Sequence, residues 1–266
     1  MSTSTKISTE GLIMRQDTES VATITLNRPK AYNALSKNLM SALQKNLDEI
    51  KNNPKIILVI IKGSGPGFSA GHDLKEMREN RGEEFFREFF TQCSKLMQSI
   101  IELPQPVIAQ VHGIAAAAGC QLVATCDLAI AADTAQFSTP GVNIGLFCST
   151  PMVAVSRKVP RKKMMEMLLL GDLINAKNAV EFGLINRCVA HSNLEKTVQL
   201  VASKIKEKSP LVLKIGKEAF YKQLEMPLKD AYAYTGEVMT QNMLARDADE
   251  GINAFIEKRS PIWTGK

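Results

Sequence analysis

Two short runs of small residues, each behind an apolar stretch, constrain this chain more than any other feature. Phe68-Ser69-Ala70-Gly71-His72-Asp73-Leu74 follows the apolar run Ile56 to Ile61, and Ala115-Ala116-Ala117-Ala118-Gly119-Cys120-Gln121 follows Pro106 to Val111. Each reads as a strand ending in a tight turn that opens a helix. Residues with little side chain at such a turn leave backbone N–H groups uncovered at the positive end of a helix, where a developing negative oxygen can be held. A matched pair of these turns points to an oxyanion hole.

The same unit recurs along the chain. Val21 to Leu26 alternates and is β-rich, and after Asn27-Arg28-Pro29 the hydroxyl of Ser36 is placed to cap a helix with Leu39, Leu43, Leu47 and Ile50 on its apolar face. Leu128 to Ala131, Gln136 to Ser138 and Ile185 to Val189 read as further strands, and Met152 to Val159 and Lys162 to Leu170 as helices. Beyond Asn193 the pattern is helical, with breaks at Ser209-Pro210 and Met226-Pro227 and a last helix from Asp249 to Arg259. A strand-helix repeat with short links argues for an α/β fold, and the helix-only tail for a module packed on the body or on a neighbouring subunit.

Composition narrows the class. With 266 residues, 45% of them apolar and 23% charged, the chain can bury a large core as one unit with a helical appendage. The longest strong apolar run, Ile56 to Ile61, is far too short to span a bilayer, so no membrane association is expected. Met1-Ser2-Thr3-Ser4-Thr5-Lys6 has neither an apolar signal core nor an arginine-rich transit character. A cytoplasmic location is the simplest expectation, or the mitochondrial matrix for a trimmed eukaryotic form. The five cysteines form no CxxC pair and no zinc spacing, so free thiols and no metal are expected. A net charge of +6 favours anionic partners without choosing among nucleic acid, lipid and a phosphorylated cofactor.

Four stretches together resemble one family. Asn27-Arg28-Pro29 with Asn33-Ala34-Leu35, the run from Phe68 to Met77, the run from Ala115 to Ala131 and the run from Glu250 to Pro261 are similar to the enoyl-CoA hydratase/isomerase, or crotonase, superfamily. Gly145 to Pro151 and Phe220 to Leu224 further resemble its enoyl-CoA hydratase domain-containing members from animal mitochondria. The resemblance implies an α/β spiral of ββα repeats, residues 1–200 forming an acyl-CoA-binding core and 201–266 a helical trimerisation region. It implies a homotrimer or a hexamer, an acyl-CoA or enoyl-CoA thioester as ligand, and no prosthetic group.

Site residues carry over position by position. The resemblance implies that Ala70 and Ala118 supply the two oxyanion N–H groups. It implies that Arg28, Ala31, Ala70, His72, Asp73 and Leu74 surround adenine and pantetheine, with Phe255 and Lys258 of the last helix reaching the phosphates, across subunits if need be. The family's two catalytic glutamates align with Gln121 and Gly141, and the acid of some isomerase-type relatives with Ser149, so all three carboxylates are missing. An amide orients water or substrate but takes no proton near neutral pH. A positioned acid or base contributes about 10²-fold to 10⁴-fold in rate, so hydratase activity is expected to be weak or altered.

Other readings stand beside this one. Gln121 could simply fill its helix turn. His72 titrates near neutrality and lies in the first turn, while His112 fits a satisfied structural histidine and His191 a polar loop. Cys148 and Ser149 are candidates to line the acyl pocket. A non-catalytic acyl-CoA binder or regulator is the alternative function. An RNA-binding relative using Lys204, Lys206, Lys208, Lys214, Lys217 and Lys222 ranks behind it, since solvation accounts for those lysines.

Overall fold

The structure, a computed structural model, describes residues 7–8 and 11–266. The segment Met1 to Lys6, read above for a leader, lies outside them. Two sheets organise the chain. The larger contains β1 (Ile7–Ser8), β2 (Ile13–Thr18), β3 (Val21–Leu26), β4 (Leu58–Gly63), β6 (Val107–Val111), β8 (Leu128–Ala132) and β11 (Arg187–Val189), in that spatial order. The smaller contains β5 (Gly67–Ser69), β7 (Ile114–Ala116), β9 (Gln136–Ser138) and β10 (Ile174–Asn175), ordered β10-β9-β7-β5. From β3 to β11 the larger sheet is parallel.

Three successive stretches each lay one strand in each sheet: β4 then β5, β6 then β7, β8 then β9. The first stretch runs on into α2 (Leu74–Glu79) and α3 (Glu83–Glu102), the second into α4 (Ala118–Thr125), and the third into α5 (Ser149–Val155) and α6 (Arg161–Leu170). This is the expected ββα spiral. Strands β5 and β7 lie where the sequence reading has only turns, because their residues run directly into the small-residue runs. They clamp the two small-residue turns side by side, with Gly67 paired to Ile114 and Ser69 to Ala115.

Helix α1 (Lys37–Lys51) forms as its pattern requires. The Ser36 hydroxyl accepts the Leu39 N–H, and Leu39, Leu43, Leu47 and Ile50 are all buried. Each such side chain contributes about 1.5–3 kcal/mol. After α7 (Ala176–Glu181), helix α8 (Leu194–Lys206) covers the larger sheet, setting Leu194, Val198 and Ala202 on Leu58, Ile60 and Ile108. The expected division at residues 200 and 201 therefore falls inside a helix packed on the body. The chain breaks instead at Ser209-Pro210, where α9 (Pro210–Gln223) begins, followed by α10 (Leu228–Met243) and α11 (Arg246–Ile256).

Helix α9 is anchored to the body by charge. The Lys217 ammonium, its side chain 6% exposed, donates to the Ile100 and Gln105 carbonyls and to Asp127 at 2.7 Å. Tyr221 donates its hydroxyl to the other Asp127 oxygen, and the Val107 N–H donates to the first. Lys217 is thereby committed to holding α9 on the body. Lys206 pairs with Glu19 and Lys222 lies over the Tyr234 ring, so the six lysines form no single comb.

The last residues fold back onto α11. The buried Asp247 carboxylate accepts the Ser209 hydroxyl, the Thr264 N–H and hydroxyl, and the Gly265 N–H. Burial pushes this carboxyl up, but those hydrogen bonds outweigh it and hold it below the usual aspartate range. A carboxyl whose folded pKa is depressed contributes stability above its unfolded value and loses it as pH falls through the folded one. Asp247→Asn is thus expected to lower stability by about 1–3 kcal/mol at pH 7. Thermal melts from pH 7 to pH 3 should show the difference between variant and parent shrinking on acidification.

Candidate active site

The two turns meet through Gly71. It has φ +96°, and a Cβ there would lie 2.9 Å from the Ala116 carbonyl oxygen and 3.1 Å from the Ala118 nitrogen. Only glycine allows this approach in this conformation.

The first turn is fixed from outside. Leu35 donates its N–H to the Gly71 carbonyl at 2.7 Å and accepts the Asp73 N–H at 3.1 Å. That is a parallel bridge between Leu35 and His72. In it the polar groups of Gly71 and Asp73 face Leu35, and the N–H of His72 turns the other way. The His72 N–H makes no hydrogen bond among the described residues, whereas the Ala70 N–H donates to the Tyr32 carbonyl at 2.9 Å. The expectation for Ala70 is corrected accordingly: its amide is occupied, and the available donor of the first turn belongs to His72.

The second turn places its own amide at a helix start. Ala118 opens α4, so its N–H is one of the helix's unpaired first donors. Ala117 before it donates to the Ser138 carbonyl at 2.9 Å and holds φ 47° and ψ −117°. A non-glycine residue there stores about 1–3 kcal/mol of strain, which the surrounding strands must hold.

His72 and Ala117, the residue before Ala118, line a cavity of about 530 Å³ whose walls also include Leu74, Phe90, Gly141, Leu146, Phe147 and Cys148. Among its lining residues none is Asp, Glu, Lys or Arg. The His72 ring is seated edge-on against Phe89 and Phe90, with Nε2 3.2 Å from the Cys93 Sγ. Burial pushes the imidazole down to about 4 and the Cys93 thiol up to about 12. At neutral pH this is an uncharged pair, so the His72 side chain supplies apolar wall rather than a proton.

The positions of the missing glutamates differ from each other. Gln121, 4% exposed, stands one helical turn beyond Ala118, behind the cavity wall, and its carboxamide oxygen has no partner. Gly141 lies in the wall itself. A Cβ there would meet the Leu146 carbonyl oxygen at 2.9 Å and the Cys148 Sγ at 3.0 Å, and the Gly141 N–H donates to that sulfur at 3.3 Å. The space beside Gly141, where the resemblance implies the second acid, is therefore filled by the 146–148 loop. Ser149 also lines the cavity and brings no acid.

The remaining expected residues divide. Leu74 lines the cavity. Arg28 and Asp73 form an ion pair at 2.7 Å; Arg28 also donates to the Ala34 carbonyl, and Asp73 caps α2 through the Lys75 and Glu76 amides. Burial pushes the Asp73 carboxyl up, but Arg28 and those amides bring it below the usual range. This pair braces the first turn. Ala31 ends a short 3-10 turn at Pro29–Ala31, away from the cavity wall. Phe255, 85% exposed, and Lys258 lie on the last helix and its end, and the same chain does not bring them to the cavity. His112 donates to or accepts nothing catalytic; its Nε2 meets the Gly65 carbonyl at 2.8 Å. Sequence reasoning missed Met77, Phe90 and Ile144 in the wall, since apolar residues on helix faces read as core.

Two short helix-opening turns clamped side by side next to an apolar cavity, on a ββα spiral, are the features the chain shares with one family. The pattern described as Enoyl-CoA hydratase/isomerase matches residues 16–266, and the chain belongs to that family. Enoyl-CoA hydratase domain-containing protein 3, mitochondrial, of Xenopus laevis is 45% identical over 253 residues, which are 95% of this chain and 86% of that protein. The crystal structure of the enoyl-CoA hydratase of Mycobacterium smegmatis superimposes with a TM-score of 0.94 at 46% identity, covering 96% of this chain and 99% of that one. That of human enoyl Coenzyme A hydratase domain-containing protein 3 gives 0.93 at 44% identity, covering 95% and 100%. Among the described residues no helix is long and apolar enough to cross a membrane, and no three His, Cys, Asp or Glu side chains gather to hold a metal.

Proposed function

We propose that the chain binds acyl-CoA or enoyl-CoA thioesters in fatty-acid metabolism, holding the thioester oxygen between the His72 and Ala118 N–H groups, with hydratase activity weak or altered. The carrying observation is that these two amides have no partner among the described residues and flank a cavity, lined by His72 and Ala117, whose walls hold no carboxylate. Amides so placed stabilise the enolate that forms when a nucleophile adds at Cβ or a proton leaves Cα, and one donor is worth about 10²-fold to 10³-fold in rate. A non-catalytic acyl-CoA binder is the second reading, favoured by the sealed Gly141 position. Hydration of crotonyl-CoA, followed by loss of enoyl absorbance beside calorimetric titration with butyryl-CoA, separates the two. Failure to bind either thioester would sink both.

Gln121→Glu restores one proton-transfer group, and its carboxylate has room because the parent side chain is already accommodated there. We expect crotonyl-CoA hydration to rise about 10²-fold, the low end for one positioned acid or base. Gly141→Glu brings no such gain, because its Cβ meets backbone. An unchanged rate in Gln121→Glu with butyryl-CoA still bound would show that residue 121 does not face the reacting carbons.

Oligomerisation and phosphate contacts belong to the same proposal. Leu228, Tyr232, Leu244 and Phe255 are all exposed on the C-terminal helices, an apolar surface that a homotrimer or a hexamer would cover. Lys258 would then reach a coenzyme A phosphate only in a neighbouring subunit.

A further inference from the structure

The cavity beside the two turns is larger and more apolar than a four-carbon acyl group requires. An engineered cavity of about 150 Å³ lined by Leu, Ile and Phe already holds the six carbons of benzene. At that density the cavity here, about 530 Å³, has room for about twenty carbon-sized atoms. Leu74 and Met77 of α2 and Phe90 of α3 share its lining with Ile144, Leu146 and Phe147 from the segment before α5. Of these, Leu74, Ile144, Leu146 and Phe147 are exposed to solvent. One exposed leucine means little, but four large apolar side chains in a single concave lining form a surface that a ligand covers.

The same lining includes His72 and Ala117, so the apolar walls and the turns that would hold a thioester border one space. We propose that this space selects aliphatic acyl groups of about eight to twelve carbons, the share of its volume left when the inner end of a pantetheine arm takes roughly half. The inference rests on the thioester-binding reading above and names the acyl class of that site. A four-carbon group would leave much of the exposed wall wet, whereas each further methylene removes apolar surface from water on both chain and wall. An acyl tail carrying its own carboxylate would find no counter-charge, since the lining has no Lys or Arg.

The test is calorimetric titration of the full chain with free coenzyme A, butyryl-CoA, octanoyl-CoA and decanoyl-CoA. A methylene moved fully out of water is worth about fourfold in affinity, the equivalent of ~0.8 kcal/mol, and a partly covered one about twofold. The expected result is a steady gain along the series, with decanoyl-CoA bound about 60-fold or more tighter than butyryl-CoA. Ile144→Asp, at an exposed position of the lining, should cut that ratio by about fivefold or more, and Phe147→Asp should repeat the loss. Leu200→Asp, equally exposed but on α8 and outside the lining, should leave the ratio as in the parent. Equal affinity for butyryl-CoA and decanoyl-CoA, or tighter binding of butyryl-CoA, overturns the chain-length assignment and leaves the thioester reading standing. A ratio indifferent to both wall variants, or lowered as much by Leu200→Asp, does the same, because the chain then lies elsewhere. Acyl-CoA binding no tighter than that of free coenzyme A overturns the thioester reading together with the assignment.

Discussion

Gly71→Ala is expected to cut affinity for butyryl-CoA by about tenfold, since hydrogen bonds to a neutral carbonyl are worth about 0.5–1.5 kcal/mol each. The new methyl would need to sit 2.9 Å from the Ala116 carbonyl and 3.1 Å from the Ala118 nitrogen. Neither atom belongs to a flexible side chain, so the two turns must separate, and φ +96° adds strain of its own. His72 and Ala118 then no longer aim at one point. Calorimetry gives the readout, with far-ultraviolet circular dichroism confirming that the spiral persists. Parent-like affinity in a folded variant would show that the amides do not hold the ligand. Ala70→Gly makes a useful contrast, because the Ala70 amide is already spent on Tyr32 and affinity should change little.

Removing the Asp127 carboxylate should produce the largest loss of stability. Asp127→Ala leaves the Lys217 ammonium buried beside two carbonyls with no counter-charge, and strips Tyr221 and the Val107 amide of their acceptor. Breaking a buried pair from one side costs about 3–5 kcal/mol. Burial already depresses Lys217 despite Asp127, so loss of the aspartate pushes it further toward the neutral form. Urea denaturation measures the loss. The double variant Asp127→Ala with Lys217→Met should regain part of it, since an apolar pair demands no charge compensation. A single variant as stable as the parent would mean that α9 is held by other contacts.

Much of the framework was legible residue by residue. Ser36 capped its helix, Val21 to Leu26 and Val107 to Val111 formed strands as read, and Pro210 and Pro227 marked the helical breaks. Each of these is a local matter of periodicity, capping or a missing N–H. The helix expected from Asp73 came out as two, α2 and α3, separated at Asn80 to Gly82. Of the three-residue strands of the second sheet, β9 was read as a strand, while β5 and β7 escaped notice because their residues run straight into the small-residue turns.

The unpaired amide of the first turn shows the limit most clearly. Which amide in Ala70-Gly71-His72 stays unpaired depends on Leu35 and Tyr32, which lie in a different loop and take up the polar groups on either side of the His72 N–H. No spacing within the turn records that choice. The absence of carboxylates at 121, 141 and 149 needed only the letters. That Gly141 is closed by Cys148, while Gln121 remains buried with a spare acceptor, required the 146–148 loop to be in place.

The chain's own letters determined the repeat, the helix starts and the loss of acid groups, because these follow from side-chain chemistry and short-range periodicity. Tertiary structure alone decided which amides of the two turns stay unpaired among the described residues and what packs against Gly141. Both are settled by hydrogen-bond competition between segments far apart in sequence, where one partner's orientation fixes what its neighbour can offer.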